Sequence, residues 1–168
     1  PIEKSKLVNT VHRVLARSNR LTSRLTERIS TKISAALIPS LPSRVPGWNM
    51  AIGSRNTGLG GGDLILCHQI GDKTFVIVID VMGHDETAKF FTYAYGGFVR
   101  GLALSMGASL TPELLLAELS TIVSNDELLS QITLTCCVAE LSSGGYLRMA
   151  SAGHPPPWKI SSGETVAM

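Results

Sequence analysis

"GGGDLILCHQIGDKTFVIVIDVMGHD", residues 60–85, consists of two apolar runs on either side of Gly71 and Asp72. A glycine in the first central position of a two-residue connection is typical of a type II′ turn between antiparallel strands. A symmetric turn at this point pairs residue 70 with residue 73 and fixes every pair beyond them. The sequence therefore predicts a β-hairpin in which Asp63 directly faces Asp80.

Two facing carboxylates in such a hairpin need a counter-charge. Directly opposed side chains have Cβ atoms about 4.5 to 5.5 Å apart, so two like charges repel each other there. Divalent cations that prefer oxygen ligands, typically Mg²⁺ or Mn²⁺, can keep both groups ionised. In two-metal sites the ions lie about 3.5 to 4 Å apart and activate water for attack on phosphorus. We favour a metal centre at Asp63 and Asp80, and the alternative, two aspartates that merely flank strand ends, stays open.

Both faces of the hairpin are apolar, which predicts a sheet covered on both sides. One face carries Ile65, Cys67, Val76 and Val78, and the other carries Leu64, Leu66, Ile70, Phe75, Ile77 and Ile79. The glycines before Asp63 let the backbone turn tightly beside the carboxylates. They do not form a dinucleotide-binding loop, because a strand follows them where that motif requires a helix.

The rest of the chain predicts an α+β domain with an antiparallel sheet. Further strands are predicted at Trp48–Ser54, Ile132–Leu141 and Tyr146–Ala152, beside the hairpin strands Asp63–Ile70 and Thr74–Asp80. Two helices are predicted between the third and fourth strands. The first runs from Glu86 to Met106 with Asp85 as N-cap and an apolar stripe of Ala88, Phe91, Tyr95, Phe98 and Leu102. The second begins at Thr111–Pro112 and continues to about Ser124.

The N-terminal part differs from the rest in texture and charge. No Gly or Pro interrupts the stretch from Lys6 to Ile38, which predicts one long helix. Residues 1–44 contain nine Lys or Arg and two Glu, whereas residues 45–168 contain six Lys or Arg and eleven Asp or Glu. The chain therefore divides into a basic N-terminal linker or regulatory helix, residues 1–45, and a folded domain, residues 46–168. Ser18, Thr22 and Lys32 interrupt the heptad pattern, which favours docking on the domain or on a second copy over a self-sufficient coiled coil.

A basic stripe follows the same helix at steps of three and four residues: Arg13, Arg17, Arg20, Arg24 and Arg28. Nucleic acid or anionic lipid could bind such a stripe. No interleaved aromatic residue or nucleic-acid motif accompanies it, so we favour the solvated face of a linker helix.

Composition narrows the class of protein. The three cysteines, Cys67, Cys136 and Cys137, have no CxxC spacing, which predicts buried thiols in a reducing compartment, the cytoplasm. No apolar run approaches the roughly 18 residues of a membrane span. The chain begins at Pro1 without a leader, and we expect it to be a piece of a longer protein.

Four segments carry a resemblance to a known family: "AALIPSLPSRVPGWNMAIGSRNTGLGGGD", "VIVIDVMGHDETA", "ITLTCCVAEL" and "ASAGHPPP". In this order and spacing they resemble the bacterial metal-dependent serine/threonine phosphatases of the protein phosphatase 2C-like type, in particular the stage II sporulation protein E family. The resemblance runs from about Ile33 to Trp158 and rests on "GGD", "DVMGH" and "AGHPPP".

The resemblance implies an αββα sandwich in which aspartates hold two Mn²⁺ or Mg²⁺ ions and a bridging water attacks phosphoserine or phosphothreonine. By motif, Asp63 and Asp80 are metal ligands at the catalytic centre, and the Val81 backbone carbonyl joins the second ion. Arg55 is expected to meet the substrate phosphate, because a guanidinium forks well onto phosphate oxygens. Residues in the motifs expected to order the loops are Gly62, Gly83, His84 and His154.

Two departures from the family pattern bear on the site. Asp85 stands where the family has the last glycine of "GHG", which is tolerable if Asp85 caps a helix. The family also has metal aspartates downstream of "AGHPPP", one of them in "TDG", whereas Glu164 is the only acidic residue after Ala152 in this sequence. The sequence therefore predicts either a C-terminally incomplete phosphatase domain or a domain with an incomplete metal site.

The leading hypothesis is a cytoplasmic phosphatase module that dephosphorylates a phosphoserine regulator, such as an anti-sigma factor antagonist, and is controlled through its N-terminal helix, by which two copies could pair. The alternative is a catalytically silent partner-binding domain in a signalling switch. Binding of nucleic acid by the arginine stripe is ranked last.

Overall fold

The computed structural model describes residues 3–42, 44–53 and 61–168. It has the α+β fold with antiparallel sheet and long N-terminal helix that the sequence predicts. The helices are α1 (Lys4–Ala36), α2 (Glu86–Met106) and α3 (Pro112–Asn125). The strands are β1 (Asp63–Ile70), β2 (Lys73–Val81), β3 (Leu134–Ser142), β4 (Leu147–Ala152), β5 (Trp158–Ser161) and β6 (Glu164–Ala167).

The hairpin of β1 and β2 has the predicted register. Asp63 is paired with Asp80 at one end, and Ile70 is paired with Lys73 at the other. Gly71 has a φ of +60°, while Asp72 is not among the residues with positive φ. A type I′ turn needs positive φ at both central positions, so the turn is of type II′ as predicted.

The hairpin belongs to a four-stranded antiparallel sheet in the order β1-β2-β3-β4, and β5 pairs only with β6 among the described residues. Helices α2 and α3 cover one face of the four-stranded sheet. The core between the helices and this face includes Leu64, Phe75, Ile77, Ile79, Val81, Tyr95, Val99, Leu115, Leu119 and Val138. Burial of these side chains is the main force that holds the helix layer on the sheet.

The opposite face of the sheet, which we call the open face, bears Asp63, Asp80 and their alternate neighbours. Its apolar side chains Ile65, Cys67, Val76 and Val78 are only half-buried. Cover on both sides, as the sequence predicts, is therefore complete on the helix face and partial on the open face in the described part of the chain.

Residues 44–53 lie against the turn end of the sheet and not in it. The Trp48 indole N–H donates to the Ser142 carbonyl at 2.7 Å, and the Gln69 amide donates to the Arg44 carbonyl at 2.7 Å. The prediction of a strand over Trp48–Ser54 is wrong for residues 48–53, which form only an isolated bridge between Val45 and Trp48. The chain turns at Pro46–Gly47, where Gly47 has a φ of +79°, so this segment bonds through side chains and not through a ladder.

The caps of α2 and α3 are those predicted. Asp85 accepts a hydrogen bond from the Ala88 backbone N–H at 2.9 Å, and Thr111 accepts one from that of Leu114 at 3.2 Å. The buried stripe of α2 is Ala88, Lys89, Phe91, Thr92, Tyr95, Gly96, Val99 and Ala103. Phe98, predicted in this stripe, is 38% exposed, because the 3.6-residue period carries the buried line through Val99.

Helix α1 docks on the domain only near its C-terminal end. None of its residues is fully buried, although Ile33 packs against the core and Leu37, just after the helix, is buried. Toward its N-terminus it exposes a line of large apolar side chains: Leu7, Val8, Val11, Val14, Leu15, Leu21, Leu25 and Ile29. The helix is thus amphipathic with most of its apolar stripe uncovered in this chain.

Candidate functional site

The two aspartates of the hairpin are closer together than their register alone requires. The Val81 backbone N–H donates to the Gly62 carbonyl at 2.9 Å, so residues 62 and 81 form a hydrogen-bonded pair. Pairs alternate along an antiparallel ladder, so Asp63 and Asp80 form a non-hydrogen-bonded pair, whose Cα atoms are about 4.5 Å apart. Both aspartates are exposed, which leaves their carboxylates open to solvent and to ions.

Backbone carbonyls surround Gly62 beside this pair. A Cβ added at Gly62 would lie 2.5 Å from the Val81 carbonyl oxygen and 2.7 Å from that of Gly83. No side chain larger than hydrogen fits that space. The Thr92 hydroxyl donates to the Gly62 carbonyl at 3.1 Å and ties the glycine to α2. Close packing of the β1 start on the β2 end therefore places the Val81 carbonyl against Gly62, the residue before Asp63.

The loop from β2 to α2 is held by Gly83 and Asp85. Gly83 has a φ of +112°, and a Cβ there would lie 3.2 Å from the Ala88 Cβ. Asp85 caps α2, which is the condition on which an aspartate is expected to be tolerated at this position. His84 is exposed on this loop. The loop thus packs the first turn of α2 against Gly83, which in turn lies against Gly62 at the start of the hairpin.

A third strand contributes residues that the sequence did not single out. Thr135 of β3 is the register partner of Asp80, so its side chain lies on the open face beside that carboxylate. The Thr135 hydroxyl is 2.8 Å from Nδ1 of His154, and the Ser151 hydroxyl donates to the His154 carbonyl at 3.1 Å. Thr135 could be found from sequence only with the β2–β3 register, which no short turn fixes.

Lys89 is a second residue that the sequence did not reveal. Its residue exposure is 1%, and its ammonium contacts the Ser30 hydroxyl of α1 at 2.9 Å and a Glu86 carboxylate oxygen at 3.2 Å. Hydrogen bonds from Ser30 and from Lys89 lower the pKa of Glu86. A Cβ at Gly61 would lie 3.7 Å from Lys89 Cγ. Lys89 thus joins α1, the start of α2 and the backbone that leads into Asp63.

The donor set at the carboxylate pair suits a hard cation. Asp63, Asp80 and the Val81 carbonyl offer oxygen atoms only, which is the ligand type that Mg²⁺ and Mn²⁺ prefer. Mg²⁺ is commonly held by one or two carboxylates and keeps several waters. Across residues 3–42, 44–53 and 61–168, three or more His, Cys, Asp or Glu side chains do not converge anywhere in an arrangement that could hold a metal. The residues present therefore fit a partly hydrated ion. Arg55 lies outside the described residues.

The cysteines lie apart from this chemistry. All three are free thiols, and burial raises the pKa of Cys136 to about 12. Cys67 and Cys137 also have raised pKa values because of burial. At neutral pH these groups are protonated thiols that pack as small apolar side chains.

Sequence comparison decides the family. The family profile of Stage II sporulation protein E (SpoIIE) matches residues 70–168, which is more than half of the chain. The chain belongs to the SpoIIE family. This is a family of phosphatase domains of the protein phosphatase 2C-like type. The match includes Asp80, Val81 and the "AGHPPP" segment, while Asp63 precedes it.

A solved structure has the same fold. The RsbU and RsbW domains of Rv1364c from Mycobacterium tuberculosis match this SpoIIE-family chain with a TM-score of 0.51 and 24% sequence identity. The match covers 62% of this chain and 28% of the solved one. A search of curated protein sequences gave no match. Among the described residues, no helix is long and apolar enough to cross a membrane.

Proposed function

We propose that this chain carries a metal-dependent phosphatase domain that hydrolyses phosphoserine or phosphothreonine on a bacterial signalling protein, for example an anti-sigma factor antagonist, in the cytoplasm. The observation that carries the proposal is the directly facing pair Asp63 and Asp80 at the exposed end of the hairpin, in a chain of the SpoIIE family. Two acidic side chains in a non-hydrogen-bonded pair repel each other. A bound Mn²⁺ or Mg²⁺ relieves that repulsion.

The chain's own groups would contribute by holding the ions and orienting the substrate. Asp63 and Asp80 would hold the ions, with the Val81 carbonyl as a further oxygen ligand, and Gly62 lets that carbonyl approach. The ions, two in a complete domain of this kind, would supply an activated water for attack on phosphorus. The exposed setting of the pair leaves room for a protein substrate, whose phosphate Arg55 would contact.

Phosphate release tests this proposal. The protein, together with any native sequence that continues it, is assayed with Mn²⁺ on an aryl phosphate and on phosphoserine proteins. Asp80→Asn is expected to lower kcat/KM at least about 100-fold if the carboxylate holds a catalytic ion, whereas Asp72→Asn, at the turn end of the same hairpin, leaves it unchanged. Equal activity of the Asp80→Asn protein and the wild type contradicts the proposal.

A second candidate is a catalytically silent partner-binding domain. The observation that favours it is the donor count, because fewer than three acidic, histidine or cysteine side chains converge at the described site. A silent domain would bind its partner equally well with and without Mn²⁺. An enzyme would instead release phosphate from it.

Control through the N-terminal helix has a physical route. The Lys89 ammonium joins Ser30 of α1 to Glu86 of α2, and α2 starts directly after the site loop. A shift of α1, for instance on pairing of two copies through its uncovered apolar stripe, would therefore move the backbone around Gly61 and Gly62. This route supports a regulatory segment, residues 1–45, and a catalytic domain, residues 46–168.

A further inference from the structure

The open face carries two carboxylates at the end of the sheet where the candidate site lies, but its strands supply no positively charged side chain. Its strand positions are Asp63, Ile65, Cys67 and Gln69 on β1, Thr74, Val76, Val78 and Asp80 on β2, Thr135, Cys137, Ala139 and Leu141 on β3, and Leu147, Met149 and Ser151 on β4. None of these is Lys or Arg. The strands therefore offer a phosphate near the carboxylate pair only neutral donors such as the Thr135 hydroxyl, and a group that can carry a positive charge must come from outside them.

His154 is held where it can provide that group. If β4 continued in register beyond Ala152, His154 would face Leu134 and lie on the helix face. Gly153 interrupts the alternation with a φ of +70°, a conformation that L side chains rarely adopt. The imidazole instead reaches the Thr135 hydroxyl on the open face, with Nδ1 to Oγ1 at 2.8 Å.

The contact with Thr135 leaves one ring nitrogen free to act. A hydroxyl that donates to Nδ1 fixes the neutral tautomer with its hydrogen on Nε2, and a hydroxyl that accepts from a charged imidazole also leaves a hydrogen on Nε2. In both of these states Nε2 is a donor, whereas a neutral imidazole with its hydrogen on Nδ1 would donate to the Thr135 hydroxyl and leave Nε2 an acceptor, so the donor role requires one of the first two states. Thr135 is next to Asp80 across the ladder, where facing Cβ atoms are about 4.5 to 5.5 Å apart.

We propose that Thr135 and His154 form the phosphate-binding arm of this site: the Thr135 hydroxyl orients the imidazole so that Nε2–H donates to an oxygen of the phosphoryl group bound at the Asp63–Asp80 pair. The inference rests on the proposed function and adds a substrate contact to it. His154 touches the phosphate, whereas Thr135 is a positioning residue that acts through His154.

Imidazole ¹⁵N–¹H correlation spectra of this 168-residue chain test the arm. The chain has four histidines, and His12, which is exposed on α1, is an internal reference for a solvent-exposed imidazole. His154 is expected to be one tautomer with its hydrogen on Nε2. Thr135→Val should convert it to a tautomer mixture like that of His12, while Thr135→Ser, which keeps the hydroxyl, should retain the wild-type pattern. An unchanged pattern in Thr135→Val overturns the positioning role.

Titration with Mg²⁺ and then inorganic phosphate tests the contact. Phosphate added after Mg²⁺ should shift the His154 Nε2 signal and leave His12 unmoved, and His154→Ala should weaken phosphate binding about tenfold without changing Mg²⁺ affinity. If Mg²⁺ shifts the amide NMR signals of Asp63 and Asp80 but phosphate does not shift the His154 signal, the phosphate-binding arm is refuted and the proposed function stands. If Mg²⁺ shifts the amide signal of neither aspartate, the proposed function and the phosphate-binding arm are both refuted.

Discussion

Gly62 is the residue on which the site's geometry depends most directly. Its missing side chain lets the Val81 and Gly83 carbonyls approach to distances that any Cβ would forbid. Gly62→Ala should lower the free energy of unfolding by about 1 to 3 kcal/mol, the usual range for overpacking, and weaken Mg²⁺ binding because the strands must separate. Urea unfolding and calorimetry measure the two effects.

Gly97 provides the matched control for that substitution. It is exposed in the middle of α2, and a Cβ there meets nothing within 4 Å. Gly97→Ala should therefore stabilise the protein by about 0.5 to 1 kcal/mol through helix propensity. If Gly62→Ala stabilises the protein as Gly97→Ala does, the close approach at Gly62 is not present in solution.

Asp85 is the N-cap of α2, and its side chain accepts a hydrogen bond from the Ala88 backbone N–H. Asp85→Ala should cost about 1 kcal/mol in unfolding free energy, since it removes the acceptor for the Ala88 N–H, whereas Asp85→Gly should cost only a few tenths. Thermal unfolding of the two variants measures the difference. An Asp85→Ala protein as stable as the wild type would mean that the cap hydrogen bond contributes nothing.

At the scale of elements, the contact between α1 and α2 includes one buried ammonium, that of Lys89. Ser30→Ala removes a partner of Lys89, and a buried donor left without its partner costs about 1 to 3 kcal/mol. Amide hydrogen exchange should therefore quicken in the last turns of α1 and at the start of α2. Ser23→Ala, an exposed serine on the same helix, should change neither region.

If amide hydrogen exchange is the same in the Ser30→Ala and Ser23→Ala proteins, the physical route that we propose from α1 to the site is refuted. If exchange quickens in α1 alone, the helix docks through Ser30 but does not influence α2.

The sequence predicted local elements better than their assembly. The β1–β2 register follows from a two-residue turn and alternating apolar positions, so Asp63 and Asp80 could be paired in advance. The caps at Asp85 and Thr111 were equally local. The segment from Trp48 does not form the predicted strand, because it docks on the turn end of the sheet, where Trp48 is half-buried and bonds to the Ser142 carbonyl, and does not join a ladder.

Long-range packing supplied what the sequence could not. Thr135 meets Asp80 only through the β2–β3 register, and the whole of α2 and α3 lies between those strands. Lys89 is an ordinary helix residue by type, and it is buried where α1 and the backbone at Gly61 pack against it. Sites that join distant segments thus need the fold before their residues can be recognised.

At the scale of the whole molecule, the carboxylate pair should make the free energy of unfolding depend on bound metal. Without metal, Asp80→Asn removes the repulsion with Asp63 and should raise the free energy of unfolding by about 0.2 to 1 kcal/mol. With Mg²⁺ at about 100 times its Kd, the wild type should gain about 2.7 kcal/mol, whereas Asp80→Asn gains little.

Urea unfolding with and without Mg²⁺ is therefore the most direct test of the central claim, that Asp63 and Asp80 together hold a divalent cation. We expect the order of stability to reverse: Asp80→Asn is more stable than the wild type in chelator and less stable in Mg²⁺, while Asp72→Asn follows the wild type in both. Wild-type and Asp80→Asn proteins that respond identically to Mg²⁺ would contradict it.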